Sequence, residues 1–189
     1  MKIIFLIPLF IIFGCETKTK DPIPKNPETP KKNSQKIEPI HRKYFVGDIN
    51  NDKINDTAFV SFKWNTETNE IECGKNNCDI TIEFNNNIPE ISFGQSQGLF
   101  VKKTEDINHD KANEIIIFSR THEGWWEYIS VWSYKNNTWN AIGETKGFCT
   151  DNEDYNNRVI KENGNYYLIG ENMWEEDENG DFEKIKVKL

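Results

Sequence analysis

Two short segments of this 189-residue chain place oxygen-bearing side chains at a spacing that suits a hard cation. Asp48, Asn50, Asp52 and Asp56 fall at positions 1, 3, 5 and 9 of the first. Asp106, Asn108, Asp110 and Glu114 fall at the same positions of the second, 58 residues later. Six of the ten residues from Gly47 to Asp56 recur between Glu105 and Glu114, and each copy runs into an apolar, β-prone stretch. Calcium takes about six to eight oxygen ligands, mostly carboxylates and carbonyls, and alternate side chains of a tight loop converge on one such ion. Asn and Asp also favour turns for conformational reasons alone. The repetition of four ligand-type positions favours Ca²⁺, one or two ions, over that plainer explanation.

The elements that must position these loops are short strands. Apolar, ring-rich runs at Thr57 to Trp64, Asp79 to Phe84, Ile88 to Phe93, Leu99 to Lys102 and Glu114 to Ser119 are predicted to be β structure, as are Tyr128 to Tyr134, Trp139 to Ile142, Tyr166 to Ile169 and Phe182 to Val187. Asn163-Gly164 and Asn179-Gly180 are candidates for type I′ hairpin turns, and Lys135-Asn136-Asn137-Thr138 for a turn between two aromatic strands. No stretch sustains a 3.6-residue apolar period, so little helix is expected. Asp177 to Asp181 echoes the acidic loops but has Ile185 at the ninth position, and reads as an acidic hairpin turn.

The pattern D-x-N-x-D-x-x-x-[DE] before a hydrophobic strand resembles the calcium loops of FG-GAP or VCBS-type repeats in integrin-like β-propellers. The resemblance covers two segments of about fifteen residues. It implies metal ligation by Asp48, Asn50, Asp52, the Ile54 carbonyl and Asp56, and by Asp106, Asn108, Asp110, the Ala112 carbonyl and Glu114. The glycine usual at position 6 is Lys53 in one loop and Lys111 in the other. A residue with a Cβ must then make the sharp turn, and a positive charge sits near the ion. Two or three units of about 58 residues are too few for a closed ring of four or more blades. The expected fold is therefore all-β: a small antiparallel domain built as incomplete propeller-like sheets or a β-sandwich.

The N-terminus carries an address. Lys2 precedes an apolar run from Ile3 to Phe13 that is too short for a lasting membrane span. Ile12-Phe13-Gly14-Cys15 resembles a bacterial lipobox, which implies a signal peptide over residues 1–14 and a lipid on Cys15. Residues 15–43 read as a disordered tether rich in Lys and Pro, with too little apolar surface to offset the entropy of folding. Residues 44–189 read as the β domain. The tether carries a net charge of +4 and the domain −13, a balance that disfavours nucleic acid and suits cation binding. The expected location is the bacterial cell envelope, at the outer membrane, with the face left open.

Cysteine use fits an oxidising compartment. Cys73 and Cys78 bracket a short loop and are the first choice for a disulfide, although either could pair with Cys149. Three histidines with no paired metal-ligand spacing make zinc a poor alternative. A second constellation, Trp125, Trp126, Trp132 and Trp139, would stack on sugars or hold a partner if exposed in a row, and would otherwise fill a small core. Gly94-Gln95-Ser96-Gln97-Gly98 matches G-x-S-x-G as a string, but the β-prone run Leu99 to Lys102 follows it where a nucleophile elbow needs a helix, so it is no elbow, and there is no H-E-x-x-H. Asp151, Glu153 and Asp154 offer the carboxylates of a glycoside hydrolase, but in so acidic a domain such clusters arise without purpose, and the chain reads as a non-enzyme. The favoured function is a lipid-anchored, calcium-binding interaction module whose partner is an unidentified protein or glycan. The alternatives are an inhibitory or immunity-type lipoprotein engaging a basic partner, and a carbohydrate-binding protein.

Overall fold

The computed structural model describes residues 37–72, 80–122, 124–149 and 157–189. Cys15, Cys73 and Cys78, and with them the lipid and disulfide assignments, lie outside these residues, as do Asp151, Glu153 and Asp154. The protein is all-β, with three antiparallel sheets, none closed into a barrel.

In the first sheet, β1 (Ile37–Gly47) and β2 (Asp56–Asn65) form a hairpin joined by the first acidic loop. Next to β2 lie β4 (Ile80–Phe84) and the short β3 (Glu70–Ile71), and β5 (Ile91–Phe93) completes the order β1-β2-β4-β5. The second sheet is a meander of β6 (Gly98–Lys103), β7 (Ile115–Arg120), β8 (Trp126–Lys135) and β9 (Thr138–Phe148), and the second acidic loop joins β6 to β7. The third contains β10 (Val159–Glu162), β11 (Asn165–Glu176) and β12 (Phe182–Lys188).

Ordered structure starts earlier than composition indicates. Residues 37–43, assigned to the tether, pair with β2 from Ile37↔Asn65 onward. Pro39 argues locally against a strand, but β1 lies at a sheet edge, where a missing N–H breaks no ladder.

Side-chain alternation assigns the faces. In β7, Ile115 and Ile117 enter one apolar cluster with Val46, Ile49, Ala58 and Val60 of the first sheet region. Ile116 and Phe118, on the opposite face, enter a second cluster with Ile129, Val131, Tyr166 and Leu168. The second sheet is therefore covered on both faces, which explains the unbroken apolar run Ile115 to Phe118. Ile49, Ala58 and Val60 of the first repeat correspond to Ile107, Ile116 and Phe118 of the second, and each set packs against the sheet that follows it in sequence.

Two hairpins have the expected turn. Asn136-Asn137 (φ 53°, 61°) and Asn163-Gly164 (φ 50°, 80°) combine two residues of positive φ, as type I′ requires. The third differs. At Asn179-Gly180 only Gly180 is left-handed, and the Gly180 N–H donates to the Asp177 carbonyl at 3.0 Å. This is a type I turn followed by a left-handed glycine, so the third acidic echo is a hairpin turn.

Candidate metal centre

Both loops have one backbone design, repeated bond for bond. In the first, Asp48 Oδ1 accepts the Asp52 N–H at 3.1 Å and Asp48 Oδ2 the Lys53 N–H at 2.8 Å. Asn50 Oδ1 accepts the Asp52 N–H at 3.0 Å, and Asp52 Oδ1 the Ile54 N–H at 2.7 Å. The second loop gives the same four bonds at 3.0, 2.9, 2.9 and 3.1 Å, from Asp110 and Lys111 to Asp106, from Asp110 to Asn108, and from Ala112 to Asp110. Each local acceptor curls the chain toward itself. Positions 4 and 6 turn left-handed to allow it: Asn51 (60°) and Lys53 (68°) in one loop, His109 (61°) and Lys111 (77°) in the other. The lysines thus adopt the conformation for which a glycine would be the easier residue.

Position 9 closes each loop. Asp56 Oδ2 accepts the Ile49 N–H at 3.0 Å, and Glu114 Oε2 accepts the Ile107 N–H at 2.6 Å. Both carboxyls are fully buried. Their remaining oxygens differ. Asp56 Oδ1 accepts from Asn86 Nδ2 at 2.8 Å, whereas Glu114 Oε1 is buried and makes no hydrogen bond. The third position differs too. Asn50 Nδ2 is turned onto Asp52 Oδ2 at 3.0 Å, while Asn108 Nδ2 is drawn to Ser133 Oγ at 2.7 Å.

In the second loop, oxygens of Asp106, Asp110 and Glu114 lie within 4.8 Å of one another. Among the described residues no other three His, Cys, Asp or Glu side chains gather as closely, those of the first loop included. Burial raises the Glu114 carboxyl above its ordinary range; the Ile107 N–H and the Ser133 hydroxyl pull it down, and Asp110 and Asp106 push it up again. Asp56 is raised by burial as well, against the Ile49 and Asn86 bonds. Lys135 Nζ stands 3.7 Å from Asp110 Oδ2 on a largely exposed side chain, too solvated to neutralise the cluster.

The donors fit a hard cation. Each loop brings three carboxylates, one amide oxygen and the position 7 carbonyl, with no sulfur. The one imidazole, His109, lies against Tyr166 at 6.4 Å between ring centres. An all-oxygen set suits a hard cation such as calcium and offers zinc no nitrogen or sulfur ligand; in the second loop it includes a buried carboxylate oxygen without a hydrogen bond.

The four tryptophans do not form one exposed row. Trp125 is 55% exposed with the Arg120 guanidinium over its ring. Trp126 is buried between Phe148 and Phe182. Trp132 packs on the first core and donates to Ser130 Oγ, and Trp139 packs there too and donates to the Pro89 carbonyl. Trp174, at 82% exposure, is the more open ring and was not singled out from sequence. Cys149 is half-buried, and its N–H donates to the Trp125 carbonyl at 2.6 Å.

Sequence reasoning also missed Asn86 and Ser133, the residues that set the difference between the loops, and Asn113, which joins them. Asn113 had left a signal, since the same residue type stands at position 8 of both loops as Asn55 and Asn113. Comparison of the chain with protein-family models, with curated proteins and with solved structures finds no match in any of the three.

Proposed function

We propose that this protein is a calcium-binding interaction module of the bacterial cell envelope, tethered to the membrane through a lipid on Cys15. The observation that carries the calcium reading is Glu114 Oε1. It is a fully buried carboxylate oxygen with no hydrogen bond, in a cluster with Asp106 and Asp110. A group left so costs about 1–3 kcal/mol or more, and a bound cation removes that cost. The likeness of the loops to FG-GAP or VCBS repeats supports the same reading, as does the net charge of −13 from Tyr44 to Leu189. The role of the metal is to fix the loops that join β1 to β2 and β6 to β7. Exposed Phe45, Trp125 and Trp174 supply apolar area for a protein or glycan partner.

The test is a melting curve of the full-length protein in EGTA and in millimolar calcium, with Asp52→Ala and Asp110→Ala beside the wild type. A ligand that binds only the folded state stabilises it by about 2.7 kcal/mol at a hundredfold excess over Kd. A calcium-dependent rise that Asp110→Ala removes supports the reading. An unchanged wild-type curve, with no metal on the purified protein, sinks it.

A further inference from the structure

We infer that the two loops act as a coupled pair, in which the second is the primary calcium site and its occupancy is carried to the first through two consecutive peptide units. This rests on the calcium reading above and adds the order and the linkage of the two sites.

The order follows from the position 9 carboxylates. An ion entering the second loop meets Glu114 Oε1, which makes no hydrogen bond, although the Ser133 hydroxyl acts on the same carboxyl. An ion entering the first loop must displace Asn86 Nδ2 from Asp56 Oδ1 and Asn50 Nδ2 from Asp52 Oδ2. The second loop is also the better shielded, with position 7 buried at Ala112 but 58% exposed at Ile54. Lower dielectric strengthens attraction between a cation and its carboxylates.

The linkage runs through the backbone. The peptide joining Ala112 to Asn113 has its carbonyl at position 7 of the second loop, and its N–H donates to the Asp48 carbonyl at 2.7 Å. That carbonyl belongs to the peptide joining Asp48 to Ile49. Its N–H in turn donates to Asp56 Oδ2, the position 9 carboxylate of the first loop, at 3.0 Å. A cation on the Ala112 oxygen polarises its peptide and makes the Asn113 N–H a stronger donor. The Asp48-Ile49 peptide is polarised next, as in any chain of hydrogen bonds. Positions 1 and 9 of the first loop are thereby held in place before its own ion arrives.

The junction leaves little slack. Gly47 is left-handed (φ +76°), and a Cβ there would run into Asn113 Oδ1 and Lys103 Cδ. Asn113 is held from its other end by Nδ2 on the Thr104 carbonyl at 3.2 Å. The second-loop ion also weakens the negative field felt at the first loop. Salt weakens that opposing term, with a screening length of about 8 Å, and leaves the hydrogen-bonded path intact, so physiological ionic strength favours positive coupling.

Two titrations with CaCl₂ at physiological ionic strength test this on full-length, ¹⁵N-labelled protein. In Asp52→Asn, which disables the first loop, calcium should move the Asn113 and Ile49 amide protons downfield at the midpoint of the Ile107 amide. In Glu114→Gln, which disables the second, calcium affinity at the first loop should fall at least about fivefold, the lower range for coupled sites. The arms use different variants, so misfolding of one leaves the other decisive. Calcium that shifts Ile107 while Ile49 stays still, with unchanged first-loop affinity in Glu114→Gln, overturns the coupling and leaves the calcium reading standing. Wild-type protein whose Ile49 signal responds before Ile107 overturns the order. Wild-type protein that takes up no calcium overturns both readings.

Discussion

Replacing Glu114 with Gln should stabilise the protein without metal and destabilise it, relative to wild type, with metal. The wild-type carboxyl spends one oxygen on the Ile107 N–H and leaves Oε1 buried and without a hydrogen bond, beside the charges of Asp106 and Asp110. Gln keeps the acceptor for Ile107, removes the charge, and offers an NH₂ beside Asp106 and Asp110, which each have an oxygen within 4.8 Å of an oxygen of the Glu114 carboxyl. Relief of one unsatisfied buried acceptor is worth about 1–3 kcal/mol. In a domain of about 150 residues this corresponds to a rise in Tm of roughly 2–12 °C in EGTA, at about 2–4 °C per kcal/mol. In calcium at a hundredfold excess over Kd the wild type gains about 2.7 kcal/mol per site filled, and Glu114→Gln forgoes the share due to the second loop. Paired thermal melts in EGTA and calcium read both signs at once. If Glu114→Gln melts below wild type in EGTA, the carboxylate has a structural partner and the premise that it awaits a cation is wrong.

Three further outcomes are expected. Burial would raise Glu171, but Lys184, Arg158 at 2.7 Å and the Phe148 N–H outweigh it and hold the carboxyl below its ordinary value of 4.5. Its folded form thus binds fewer protons than the unfolded chain, and the stability it contributes is complete above about pH 4.5 and drains away as pH falls through the lowered value. Glu171→Gln should cost at least about 1.5–3 kcal/mol near neutral pH, the worth of one hydrogen bond between charged groups, because the buried Arg158 loses that carboxylate, and should flatten the acid limb of a Tm-versus-pH profile; an unaltered limb refutes the assignment. Lys111→Gly relieves a left-handed residue worth about 1–2 kcal/mol, partly offset by glycine's flexibility, and removes a cation from the second loop; calorimetry should show tighter calcium binding, and weaker binding would mean that Lys111 supports the loop. Gly47→Ala should lower Tm in EGTA by adding both left-handed strain and a clash with Asn113, and a neutral result would show that the loops are not tightly joined there.

The acidic loops were legible because everything that shapes them is local. Each loop curls around bonds spanning two to five residues, so the order of Asp, Asn and Asp already specifies the turn. The two Asn-led hairpins and most strands were readable for the same reason. β1 was not, since a proline among charged residues hides an edge strand whose partner lies beyond the first loop. Nor was the fate of the tryptophans. Trp126 and Trp125 are neighbours in sequence, yet β alternation and the placement of Phe182 bury one and expose the other.

Sequence by itself determined that the chain is all-β, acidic over its ordered part, and equipped with two equivalent oxygen-rich loops. Tertiary structure decided how those loops differ and how they meet. Asn86 reaches Asp56 across 30 residues, Ser133 draws off Asn108 across 25, and the Asn113 N–H finds the Asp48 carbonyl in the other repeat. Whether a buried carboxylate oxygen is satisfied depends on groups brought to it by packing of separate sheets, and no local pattern of residues encodes that meeting.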